Sequence, residues 1–82
     1  MVCMQVFVGK LPRHVFEDEL VPLFEKAGPI YEMRLMMDFS GSNRGFGFVQ
    51  FTTRDDARRS ITLLDNFEIR RGKRLQIFYS VF

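Results

Sequence analysis

Four stretches of this chain place apolar residues two apart, and two others place them three and four apart. In "QVFVG" (5–9) the alternation sets Val6 and Val8 on one side of a strand and Phe7 on the other. "FEDELVPLFEKAG" (16–28) opens with acidic residues, spaces Leu20, Leu23, Phe24 and Ala27 as a helical stripe, and stops at Gly28. Pro22 within it removes a hydrogen bond to the Asp18 carbonyl, so a distorted first turn is expected. "IYEMRLMMD" (30–38) reads as a second strand and "FSGSN" as the turn that follows. "RGFGFVQF" (44–51) is then a third strand, paired with the second as a hairpin. "TTRDDARRSITLL" (52–64) begins with Thr53 and Asp56 in capping-box spacing and carries Ala57, Ile61 and Leu64 as its buried stripe. Asn66 is expected as a left-handed stop, "RRGK" (70–73) as a turn, and "LQIFYSV" (75–81) as the last strand.

The order β-α-β-β-α-β predicts an α+β, ferredoxin-like fold: a four-stranded antiparallel sheet with two helices on one face. Two helices cannot cover both faces, so one face meets solvent or a ligand. Val6, Val8, Val49 and Phe51 suit the covered side, as does Phe24 from the first helix. Strand parity then turns Phe7, Phe46 and Phe48 onto the open side. Gly47, between the two outward rings, is expected to let a helix approach closely. Met33 and Leu35 are assigned to the core, with Arg34 and Met36 facing a ligand; a bulge near Tyr31 would reverse that assignment. In the last strand Leu75 and Ile77 face the helices. Gln76 and Phe78 take the other parity, so Phe78 either joins the open face as a fourth ring or packs beneath the C-terminal segment as a lid. An exposed aromatic patch marks a binding site, and flat rings ringed by Lys and Arg suit stacked bases with phosphates nearby.

At 82 residues, with 46% hydrophobic and 27% charged content, the chain has the balance of one small globular domain, and a disordered composition is excluded. No apolar run is long enough to span a membrane, and "MVCMQVFVG" does not have the layout of a signal peptide. The lone Cys3 points to a reducing, intracellular setting, and no Cys/His set has zinc spacing, so no metal or cofactor is expected. Net charge is only +2, but it is unevenly placed. Residues 17–27 sum to −3, residues 53–65 to zero and the remainder to +5, so the positive charge belongs to strands and loops. That asymmetry suits a polyanion on the sheet side. The cluster Arg70, Arg71, Lys73 and Arg74 is most simply a solvated turn, with RNA contact there as the alternative. His14, the only histidine, has no nucleophile or carboxylate in motif spacing and reads as a loop residue.

"VFVGKL" (6–11) and "RGFGFVQF" (44–51) resemble the two signature motifs of RNA-recognition-motif (RRM) domains, in the family's order and separation. The resemblance covers about residues 5–81. "FEDELVPLFEKAGPI", "LMMD" and "NRGF" are similar to the first RRM of the heterogeneous nuclear ribonucleoprotein Q/R group, whose relatives include the apolipoprotein-B editing complementation factor and the germline dead-end proteins. "MMDFSGSNRGF" leans toward the germline-type members. The resemblance implies that Phe7 and Phe48 stack on bases, that Phe46 packs against sugars between them, and that Arg44 contacts phosphate. Lys10 stands where the first motif often has Asn, which implies an added phosphate contact. Phe78 replaces a polar residue that many members use to read a base edge. Phe46-Gly47 replaces the Tyr-Ala usual in the Q/R-like relatives.

Residues 1–82 are therefore expected to form a single RRM domain from a longer, multi-domain RNA-binding protein. The expected function is binding of single-stranded RNA in post-transcriptional mRNA regulation, in the nucleus, the cytoplasm or both, as a monomer and without a membrane. The binding residues would be Phe7, Phe46, Phe48, Arg44, Lys10, Arg34, Met36, Gln76 and Phe78. A second hypothesis is a protein-interaction module within a ribonucleoprotein or RNA-editing complex. Intact rings do not exclude other RNA-binding domains or protein partners on the helix face. A third, an enzyme on the same plan as the acylphosphatases, needs an anion-binding loop with an Arg and a catalytic amide. "GKLPRHVF" offers Arg13 and little else, so this hypothesis is rejected.

Overall fold

Period-two alternation and the helical stripes decide most of the architecture. The computed structural model describes residues 4–80, as β1 (Gln5–Gly9), α1 (Glu17–Phe24), β2 (Ile30–Met37), β3 (Asn43–Phe51), α2 (Arg54–Leu64), β4 (Glu68–Arg70), β5 (Lys73–Arg74) and β6 (Gln76–Tyr79). Four strands form one antiparallel sheet in the order β2-β3-β1-β6. Both helices pack on the side carrying Val6, Val8, Val49, Phe51, Leu75 and Ile77, all buried. Leu20, Phe24, Ala57 and Leu64 complete that core from the helices. Cys3 and Val81 lie outside the described residues. No helix among the described residues is long and apolar enough to cross a membrane.

The helices follow their local signals closely. Thr53 caps α2 by accepting the Asp56 N–H at 3.1 Å, an arrangement worth about 1 kcal/mol. Its buried stripe is Ala57, Ser60 and Leu64, with Ile61 only half-buried. Ser60 can sit there because its hydroxyl donates to the Ala57 carbonyl at 2.7 Å and so leaves no unmet polar group. Helix α1 is shorter than its apolar stripe suggests. Beyond Phe24 the chain tightens, with the Lys26 and Ala27 N–H groups bonding the Leu23 and Phe24 carbonyls. In the first turn the Phe16 carbonyl accepts from both Glu19 and Leu20, the local tightening expected beside Pro22.

Residues 70–73 form the expected turn, and it joins β4 and β5 as a small separate hairpin around Arg71 and Gly72. Two expectations need correction. Asn43 is not part of the β2–β3 turn but the first residue of β3. Its side chain is fully buried and donates to the Pro12 and Val15 carbonyls at 2.7 and 2.8 Å while accepting the Gly45 N–H at 2.6 Å. Gly47 does not make room for a helix. A Cβ there would lie 2.7 Å from the Arg34 carbonyl oxygen and 3.2 Å from Leu35 Cα, so it is the neighbouring strand β2 that approaches.

A register shift does occur at Tyr31, between the pairs Ile30–Phe51 and Glu32–Gln50. It leaves the assignment of Arg34 intact, because Arg34 pairs directly with Phe48 and Leu35 with Gly47. Leu35 is buried and Met33 packs against the core, as expected. Phe24 and Phe51 are fully buried.

Candidate functional site

The registers line up the open face in rows that cross the sheet. One row runs Arg34, Phe48, Phe7 and Phe78 across β2, β3, β1 and β6. Beside it Phe46, Gly9 and Gln76 form a second row. On the other flank lie Glu32, Gln50 and Gln5, with Ser80 held to Gln5 by a backbone bond and a 3.3 Å side-chain bond. Direct cross-strand partners share a face, so the register alone gathers these side chains.

Four rings meet there. Phe7 stacks on Phe46 with centroids 5.9 Å apart and on Phe78 at 4.7 Å, and it meets Phe48 edge-on at 5.8 Å. Phe46 and Phe48 are 6.2 Å apart and nearly perpendicular. These are the offset and T-shaped geometries that the ring quadrupole favours. Phe78 is therefore a fourth ring on the open face, 46% exposed, and not a core residue. Gly9 makes the cluster possible: a Cβ at that position would come within 2.6 Å of the Phe7 ring. The cluster is apolar, partly open to solvent and free of carboxylates except at its Glu32 edge. It can stack planar ligands.

The remaining candidates surround the rings. The Arg44 guanidinium lies 5.8 Å from the Phe46 ring centroid, in range of a cation–π contact. Arg34 ends the central row, with Glu32 at 4.0 Å; both are exposed, so the pairing is weak. Met36 lies half-buried within a second register shift of β2, between the pairs Leu35–Gly47 and Met37–Asn43, so the ladder does not pair it directly with the ring rows. Gln76 faces Gly9 within the sheet. Lys10 lies past the end of β1, in left-handed backbone, along a groove it shares with Gln76.

The basic cluster divides. Arg70 leaves the sheet side altogether and forms a two-pronged ion pair with Glu19 of α1, which holds that carboxyl below its usual range through hydrogen bonding. Arg74 donates to the Asn66 carbonyl at 3.0 Å and to Glu68. Among the described residues Arg71 and Lys73 have no ion-pair partner. Arg13 pairs with Asp38 of the β2–β3 loop, which removes the one cation an anion-binding loop would have used. Three members of the face were missed by pattern reading: Gly9, Gln5 and Gln50. Parity carried through every position of β1 and β3 would have found both amides, since Gln5 is two residues from Phe7 and Gln50 two from Phe48.

The comparisons with known proteins agree with this geometry. The profile of the RNA recognition motif family matches residues 6–76. "Probable RNA-binding protein 46" of Danio rerio is 62% identical over 77 residues, covering 94% of this chain and 15% of that protein. "Heterogeneous nuclear ribonucleoprotein Q" of Rattus norvegicus is 56% identical over 78 residues, again covering 94% of this chain and 15% of the relative. The chain thus spans about 15% of the length of these curated relatives. Among solved structures, a chain of the "SXL-lethal protein/RNA complex" superposes with a TM-score of 0.91 at 34% identity, over 99% of this chain and 48% of that one. The four-ring sheet face, the two motifs that supply three of its rings and these likenesses together show that the chain belongs to the RNA recognition motif family, among relatives that include heterogeneous nuclear ribonucleoprotein Q.

Proposed function

We propose that this chain binds single-stranded RNA by stacking unpaired bases on Phe7, Phe46, Phe48 and Phe78. Arg44, Arg34 and Lys10 neutralise phosphates, while Gln76 and the polar row beside the rings present donors and acceptors to base edges. The observation that carries the reading is the single patch of four rings, because a soluble domain has no folding reason to put three strands' aromatics on its uncovered face. Met36 extends the apolar rim. Duplex RNA cannot use such a platform, since paired bases do not splay onto the rings.

The same reading makes the chain a binding module and not a catalyst, acting as one domain of a longer protein in post-transcriptional mRNA regulation. Its place is inside the cell, in the nucleus, the cytoplasm or both. The short span relative to its relatives and their printed names support this wider setting. The competing reading, a protein-interaction module, would use the same rings on the sheet face, and the printed names of the relatives favour RNA over it. The test is Phe48→Ala, titrated with a pool of short single-stranded RNAs while folding is followed by circular dichroism. Affinity is expected to fall by about 1–3 kcal/mol with the fold retained. Unchanged affinity would overturn the reading.

A further inference from the structure

Past the end of the ring face the surface drops into a groove of about 830 Å³, a volume comparable with sites that hold a drug-sized ligand. One wall is the segment after β1, with Lys10 and Arg13; the other is the β4–β5 hairpin, with Lys73 and Arg74. Of these four cations Arg13 and Arg74 are paired with Asp38 and Glu68, which leaves Lys10 and Lys73 without an ion-pair partner among the described residues. The one lining carboxylate, Asp65, has its Oδ1 engaged by the Ile77 N–H at 2.9 Å. The groove is also continuous with the rings. Gln76 lines it and pairs with Gly9 in the row of Phe46, and Lys10 is the next residue of the chain.

The walls are held in place from within. Asn66, in left-handed backbone, turns the chain out of α2, and its N–H bonds the Leu75 carbonyl at 2.8 Å. Its own carbonyl fixes Arg74, and the Glu68 carboxylate accepts the Gly72 N–H at 2.9 Å. Lys73, which has no ion-pair partner among the described residues, is thereby presented on a braced hairpin. A braced trench with two unpaired lysines, Lys10 and Lys73, beside the paired Arg13 and Arg74 suits an extended polyanion better than an apolar segment.

We infer that this groove binds the phosphodiester backbone of the RNA segment that leaves the ring platform at Gln76, independently of its base sequence. The inference rests on the platform reading, and it assigns the β4–β5 hairpin a role in length-dependent affinity. It predicts that a tetranucleotide fills the rings and that further phosphates on one end fill the groove.

The experiment uses the chain as it stands and measures affinity for a tetranucleotide and for the same RNA extended by three abasic phosphodiester units at either end. Extension at one end alone is expected to tighten binding roughly three- to tenfold at low salt and to steepen the salt dependence by about 0.7 for each phosphate neutralised. Lys73→Glu is expected to abolish that gain without changing tetranucleotide affinity. Lys73→Ala, with folding confirmed by circular dichroism, should remove part of it. No gain at either end, or an equal loss for the short and extended ligands, would overturn the inference. So would an oligoglutamate probe that binds the groove while RNA extension brings nothing, which would assign it to an acidic protein segment. A tetranucleotide that itself fails to bind would instead refute the platform, a different and separately visible failure.

Discussion

Phe78 is the ring that best separates binding from folding. It is nearly half exposed and touches the cluster through Phe7, whereas Phe7 contacts three rings and holds the patch together. Phe78→Gln is therefore expected to leave the melting temperature nearly unchanged and to weaken RNA binding by about 1 kcal/mol or more. It should also sharpen discrimination among bases, because an amide reads edges that a phenyl ring cannot. Unchanged affinity with a large loss of stability would return Phe78 to the core. Asn43 is the opposite case. It touches none of the rings, yet Asn43→Ala strands two carbonyls and an N–H in the interior. Urea unfolding should show a loss of about 1–3 kcal/mol. A loss near zero would mean that water replaces the amide.

The β2–β3 loop is organised by one carboxylate. Asp38 accepts from the Ser40 hydroxyl and N–H at 2.7 and 2.9 Å, pairs with Arg13 and accepts the Ser42 N–H at 3.2 Å. These bonds, chiefly the Ser40 hydroxyl, hold its pKa down to about 2. The sign follows from linkage. A carboxyl depressed in the folded state contributes its full stabilisation above its unfolded value, near 4, and loses it as pH falls toward 2. The Ser40 and Ser42 amide resonances should therefore stay in their folded positions at pH 4 and titrate with a midpoint near 2. A midpoint near 4 would show that the cage does not form in solution. Asp38→Asn should abolish the transition.

Charge and shape act together over the whole molecule. The acidic α1 lies on the covered side, where Glu19 draws Arg70 away, while Arg34 and Arg44 flank the rings and Lys10 leads into the groove. With about three phosphates neutralised on the platform, the slope of log affinity against log salt should be roughly −2 for a single strand. A slope near zero would remove the electrostatic half of the proposal. One platform of this size should bind on the order of micromolar, tight binding being reached when several domains are linked and effective concentration rises. Single-stranded RNA should outcompete an RNA duplex, and equal competition would point to a shape reader instead.

The sequence by itself determined what depends on neighbours along the chain. Parity placed Phe7, Phe46 and Phe48 on one face and Val6, Val8, Val49 and Phe51 on the other, because successive side chains in a strand must alternate. Thr53 and Asp56 announced the start of α2, and Asn66 its left-handed end, because caps are local chemistry. Tertiary structure decided what depends on distant partners. Phe78 had two open readings until the β1–β6 register set it on Phe7. Asn43 read as a turn residue because its partners Pro12 and Val15 lie about thirty positions away. Ser60 joined the buried stripe beside a half-buried Ile61 because a carbonyl within its own helix met its hydroxyl. Gly47 answered to a strand and not a helix, since lateral spacing within a sheet is not written in alternation. The basic groove came last of all: its walls, Lys10 and Lys73, lie at opposite ends of the chain and meet only because β6 returns beside β1.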